Sequence, residues 1–164
     1  MTTVDDDTES AGEGEEASAR LCFEIGGIVF GVEPDEVLEI IDLPEVTRLP
    51  KSPSHVLGLV NWRSRPLPLV SFARFVGLPE RERTPEQQRD RPDRVLVVTA
   101  ADMTVALEVD RVRSIELIPS TSRNARVALP TQLEPYAKAQ SDLGSEVMVD
   151  FALPAFLERS RVRS

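Results

Sequence analysis

Two apolar runs joined by three polar residues constrain this chain more than any other feature. Residues 53–79 read PSHVLGLVNWRSRPLPLVSFARFVGLP. Val56 to Trp62 predicts one buried strand and Leu67 to Phe72 a second. Between them lies a polar corner, Arg63-Ser64-Arg65, and a short segment beyond them ends at Gly77. So brief a connection favours a hairpin over a pair of helices. Pro66 and Pro68 alternate, so their missing N–H groups can face away from one ladder, which predicts an edge or bulged strand.

The rest of the chain has the same character. Leu21, Phe23 and Ile25 alternate with Cys22 and Glu24, the period of a half-buried strand. Gly26-Gly27 supplies a two-residue turn, and Ile28 to Val32 is the returning strand. After a turn at Glu33-Pro34-Asp35, Val37 to Ile41 is a short apolar stretch with Glu39 embedded in it, and residues 42–55 are irregular. Residues 80–94 lack apolar side chains and predict an exposed loop. Val95 to Ala100, Thr104 to Val109, Val112 to Ile118 and Val147 to Phe151 read as further strands. Residues 119–146 give no clear pattern beyond a brief pairing at Val127-Ala128-Leu129, and Ala152 to Glu158 predicts a short closing helix with Pro154 in its first turn. Many short strands between turn signals, with almost no helix, describe an all-β barrel or sandwich.

Composition narrows the function. The 164 residues suffice for one domain and fall short of two ordinary ones. The net charge is −9, of which −6 falls in residues 1–20 and −3 in the remainder. That first stretch has no sustained apolar run, so residues 1–20 are expected to form a disordered acidic tail whose deletion would barely move the melting temperature. Residues 159–164 are expected to form a basic C-terminal tail, leaving 21–158 as the domain. A nearly neutral body argues against a nucleic-acid partner. No apolar run approaches the length of a membrane span, no secretory leader is expected, and the single cysteine, Cys22, fits a reducing cytoplasm. His55, the only histidine, reads as a solvated loop residue. With one Cys and one His there is no metal set, no phosphate-binding loop follows Gly26-Gly27, and neither a catalytic group nor a cofactor is expected.

Several segments in order carry a resemblance. Gly58-Leu59-Val60-Asn61-Trp62-Arg63-Ser64 is similar to the G-x-x-N-L-R-G corner of the CheW-like domains, the coupling modules of bacterial chemosensory arrays. Leu21 to Phe30 resembles their opening hairpin, Val37-Leu38-Glu39-Ile40 the V-x-E-I element, Val109-Asp110-Arg111-Val112 the V-D-x-V element, and Val149-Asp150-Phe151 with 152–157 the terminal L-D-x-x-x-L-L. Ser64 stands where the corner usually has glycine, Trp62 where leucine is usual, and Ser71 where an aspartate is expected; Lys138 or Ala139 occupies a spot near Tyr136 where glycine is typical.

The resemblance implies two intertwined five-stranded SH3-like β-barrel lobes, with the end of the chain returning to the first lobe and a short C-terminal helix. It implies a non-catalytic, cytoplasmic adaptor recruited to receptor arrays, in its single-domain form. The groove between the lobes would receive the tip of a chemoreceptor's helical hairpin, and a face on the second lobe would pair with the regulatory domain of a CheA-type histidine kinase. A divergent adaptor of a non-chemotactic motility or developmental pathway, keeping one of the two contacts, is the alternative. A small β-barrel ligand-binding module or enzyme is the remote one.

The candidate partner-binding residues are Val37, Glu39, Ile40, Ile41, Trp62, Arg63, Val112 and Ile115. Glu39 and Arg63 admit two roles, an internal ion pair fixing strand against strand or direct contact with a receptor. Asp110 is read as capping a turn by accepting backbone N–H bonds. Trp62 is equally an interface anchor or a core residue.

Overall fold

The computed structural model describes residues 16–79, 94–122 and 127–161. Three tight hairpins set its registers. Strand β1 (Ala17–Ile25) returns as β2 (Ile28–Val32) through Gly26-Gly27. After β3 (Val37–Asp42), β4 (Val56–Trp62) returns as β5 (Arg65–Ser71) through Arg63-Ser64, at φ 50° and 64°. Past helix α1 (Phe72–Val76), β6 (Arg94–Ala100) returns as β7 (Met103–Val109) through Ala101-Asp102, at φ 52° and 61°. Positive φ at both central residues is the turn whose twist matches the flanking strands. The chain closes with β8 (Arg111–Pro119), a 3-10 segment at Thr131–Tyr136, β9 (Ala137–Asp142), β10 (Val147–Phe151) and helix α2 (Leu153–Ser160).

The ten strands among the described residues form two five-stranded sheets, in the orders β9-β10-β2-β1-β8 and β3-β6-β7-β5-β4. The first lobe is built from both ends of the chain, with β10 parallel to β2. The second is built from the middle, with β7 parallel to β5. The fold is thus all-β and two-lobed, as expected.

Alternation explains how two lobes share one core. Leu96, Val98, Val105, Leu107 and Val109 face the first lobe, where Leu21, Phe23, Ile25, Phe30, Val32, Val149 and Phe151 meet them. The intervening Val95, Val97 and Ala106 fill a small cluster inside the second lobe, and Cys22, Val29 and Met148 fill its counterpart inside the first. Strands buried on both faces read as continuous apolar runs. All six phenylalanines and Tyr136 join in one network of ring contacts with centroids 4.8 to 6.4 Å apart, centred on Phe72 and Phe151 between the lobes. Edge-to-face rings add to the area they bury.

Several expectations are corrected. β1 begins at Ala17, so 17–20 belong to the first lobe and not to a tail, and Arg20 is buried. Arg159 and Ser160 lie in α2 and not in a basic tail. The expected loop at 80–94 gives way at Arg94, which opens β6, and its residues 80–93, like residues 1–15 and 162–164, lie outside the described residues. Pro66 and Pro68 sit on an interior strand and not on an edge. Both pair with β4, opposite Asn61 and Leu59, and both precede the β7 ladder, which begins at Leu69. Alternate antiparallel pairs exchange no hydrogen bonds, so neither proline leaves a ladder bond unmade. Phe72 starts α1 and does not end a strand; the Ser71 hydroxyl caps that helix by accepting from the Arg74 N–H at 3.2 Å. Gly58 is required where residues 43–50 cross β4, because a Cβ there would lie 2.5 Å from the Thr47 carbonyl oxygen.

Candidate functional site

Strand β3 is an edge of the second lobe. A register shift between Val37 and Glu39 divides it. Val37, before the shift, packs against the inter-lobe core. Beyond the shift Ile41 pairs with Val95 and packs into the lobe's own cluster, while Glu39 pairs with Val97 on the same face. Ile40 and Leu38 remain exposed at 38% and 47%. On β8, an edge of the first lobe, Val112 packs against the inter-lobe core, whereas Ile115 and Leu117 are 60% and 72% exposed.

Of the eight candidates, then, Val37, Ile41 and Val112 contribute to cores, and Ile40 and Ile115 are exposed. Leu38 and Leu117 were missed, although Leu117 stands two residues after Ile115 and alternates with Ile118, which is buried.

The remaining three candidates converge on one atom. Glu39 Oε1 accepts from Trp62 Nε1–H at 2.8 Å and from Arg63 Nε–H at 3.3 Å, and Arg63 Nη2 lies 3.2 Å from it. The Arg63 guanidinium also sits over the indole, 5.2 Å from its centroid. The Trp62 ring packs partly on the second lobe's inner cluster, so it is an anchored residue with one edge at the surface. The internal pair is corrected on burial: the Arg63 and Glu39 side chains are 70% and 38% exposed. The hydrogen bond from Trp62 is the main influence holding the Glu39 carboxyl below its usual range; desolvation opposes it and Arg63 reinforces it.

The ion pair that does lie inside is Arg20–Asp150. Nε and Oδ1 are 3.0 Å apart, with side chains 9% and 2% exposed, and Arg20 Nη1–H also donates to the Ala19 carbonyl at 2.8 Å. Gly31 pairs with Asp150 on one side and Cys22 on the other, and a Cβ at Gly31 would collide with Met148 and press on Arg20. A lone arginine in an acidic stretch was the signal available for this pair.

Other polar groups serve the fold. Asp110 Oδ2 accepts from the Gly26 N–H at 2.8 Å, tying the first hairpin to the β7–β8 junction. His55 is half-buried, not solvated: Nε2 lies 3.2 Å from the Ser160 carbonyl oxygen at the end of α2, and the ring meets Phe75 edge-on at 5.0 Å. Burial, foremost, pushes the Cys22 thiol up to about 11. Glu24 lies between Arg111 and Arg113, and Arg113 also pairs with Glu146. Among the described residues no group of three or more His, Cys, Asp or Glu is placed to hold a metal, and no helix is long and apolar enough to cross a membrane.

Comparison with known proteins gives a consistent picture. The family model described as the CheW-like domain matches residues 20–160. Protein PilI of Pseudomonas aeruginosa is 31% identical over 115 residues, covering 70% of this chain and 61% of PilI. Protein FrzA of Myxococcus xanthus is 28% identical over 98 residues, 60% of this chain and 58% of FrzA. The chemotaxis protein CheW of Thermotoga maritima is 28% identical over 95 residues, 58% of each. The chain thus spans about three-fifths of the length of the curated relatives it matches. The solved scaffolding protein TtCheW from Thermoanaerobacter tengcongensis shares the fold, with a TM-score of 0.69 at 16% identity over 82% of this chain and 88% of that one.

Proposed function

The chain belongs to the CheW-like domain family, and from that premise we propose that it is a cytoplasmic adaptor coupling chemoreceptors to a CheA-type histidine kinase, with no chemistry of its own. The observation that carries this reading is the placement of four of the six large apolar side chains exposed among the described residues. Leu38 and Ile40 stand on an edge strand of one lobe, Ile115 and Leu117 on an edge strand of the other. A bridging protein needs two separable faces, and apolar side chains left outside a filled core are suited to docking. Partners tethered in an array need only modest affinity for each face. Among the departures from the family's pattern, Ser71 is buried and caps α1, work an aspartate would do equally well, so it leaves the surface unaltered.

Calorimetry of Ile40→Asp and Ile115→Asp against a purified receptor-tip fragment and the kinase regulatory domain tests the reading. Each variant should lose about tenfold or more in affinity for one partner, since a carboxylate would be buried against apolar groups, and keep the other. Loss of both partners by both variants, or of neither by either, overturns the two-face arrangement. Wild-type binding to one partner alone would favour the divergent adaptor of a non-chemotactic pathway.

A further inference from the structure

The two lobes are built alike. Read from its other end, the order β4-β5-β7-β6-β3 matches β9-β10-β2-β1-β8 strand for strand, with the parallel pairs β5–β7 and β10–β2 in corresponding places. The edge strands β3 and β8 therefore correspond. Each has a ladder on one side only, and each ladder carries a register shift. Ahead of the shift Val37 and Val112 pack against the inter-lobe core; past it Ile40 and Ile115 are exposed. On β8 the shift sets Arg113 and Ser114 against Cys22 alone.

Among the described residues no ladder joins either edge strand to the hairpin at the far side of its sheet. In both lobes an ion pair spans that seam. Glu39 on β3 meets Arg63 in the β4–β5 turn, and Arg113 on β8 meets Glu146 in the turn before β10. The charges are exchanged between the lobes. Depth differs too: Arg63 is exposed, whereas Arg113 is half-buried and its Nη1 lies 3.6 Å from Glu24 Oε2 on β1. Arg113 thus ties β8 to β1 and to the β9–β10 turn at the point where the register shifts.

We propose that Arg113 is a positioning residue: its pairs with Glu24 and Glu146 hold β8 across the seam, so that Ile115 and Leu117 meet their partner from a fixed strand. This rests on the adaptor reading above. An edge strand with a single ladder opens readily, and docking would then have to order it. A strand already held loses less freedom on binding. The role does not depend on which partner uses this face; that partner is the one lost by Ile115→Asp.

Three readouts in the full-length chain test the role, and the first two need no partner. The hydrogen bond from Arg113 is the main influence holding the Glu146 carboxyl below its usual value of 4.5, and desolvation opposes it. In Arg113→Gln the midpoint of the Glu146 carboxyl resonance against pH should rise toward 4.5. The Glu116 amide, which faces β1 just past the shift, should exchange with solvent about tenfold faster. An unchanged midpoint means that the pair does not form, and unchanged exchange means that it holds nothing; either overturns the role. The third readout is calorimetry against the receptor-tip fragment and the kinase regulatory domain. Arg113→Gln and Glu146→Gln should each weaken the partner lost by Ile115→Asp about fivefold, and the two together little more, since both release one pair. The partner lost by Ile40→Asp should bind unchanged. Equal weakening of both partners, additive losses or undiminished affinity overturns the positioning role. If Ile115→Asp costs neither partner, the adaptor's first-lobe face fails and the positioning role with it, while midpoint and exchange show separately whether Arg113 holds β8.

Discussion

Arg20 meets Asp150 at 3.0 Å in the lobe built from the first two and last three strands, and Arg63 meets Glu39 at 3.2 Å in the other. The chemistry is the same and the distances nearly so. The surroundings differ: the first pair is 9% and 2% exposed, the second 70% and 38%. In the first, water cannot compensate a charge whose partner is removed, so the pair is bound up with whether the lobe closes. In the second, water competes for both groups, the net contribution to folding is small, and the pair is left available to another molecule. An ion pair's role is thus decided by solvent access, which spacing along the chain does not reveal.

The sharpest way to break this contrast is Arg20→Ala. It should destabilise by about 3–5 kcal/mol, the cost of leaving a buried carboxylate without its guanidinium, and lower Tm by roughly 10 °C in thermal denaturation. Deleting residues 1–20 should cost at least as much, because it also removes the β1 rungs opposite Glu116 to Pro119. An Arg20→Ala loss below 1 kcal/mol would place the two pairs in one class.

Arg63→Ala should destabilise by less than about 1 kcal/mol. Urea unfolding at equal m-values would read this directly, and a loss comparable to that of Arg20→Ala would show the second pair to be structural after all.

The smallest effect concerns the corner beside that pair. Ser64 lies at φ 64°, where a side chain is strained and glycine is not. Ser64→Gly should raise stability by about 0.5 kcal/mol, or Tm by a degree or two. A lowered Tm would mean that the hydroxyl contributes more than the backbone loses.

What could be read from the chain followed from local physics. Strands such as Arg94–Ala100 and Met103–Val109 are apolar on both faces, and their turn is marked by polar and small residues, so pattern alone located them. Ala137–Asp142, in contrast, is small and polar, with only Ser141 fully buried; it is a strand because β10 offers it a partner. The first four residues of β1 were hidden likewise, beside acidic sequence and ordered by pairing with β8. At the site, Glu39, Trp62 and Arg63 could be nominated together, yet their depth could not. The register shift within β3 decides which residues turn inward, and a one-residue slip exchanges faces. His55 was misread because its partner, the Ser160 carbonyl, lies 105 residues away.

The parallel pairing of β10 with β2 has a kinetic consequence. On the ribosome the β1–β2 hairpin is complete once Val32 is made, while its neighbours β8 and β10 await Arg111 and Val147. At about 5–20 residues per second, the hairpin spends several seconds with its apolar faces uncovered. The middle lobe has all its strands by Val109 and can assemble in that interval. Closure of the terminal lobe then waits for the far end of the chain and pays a large loop entropy in one late step. The nascent protein therefore stays exposed to aggregation until β10 has been made, and substitutions that weaken the Arg20–Asp150 junction should lower soluble yield more steeply than their equilibrium cost alone would suggest.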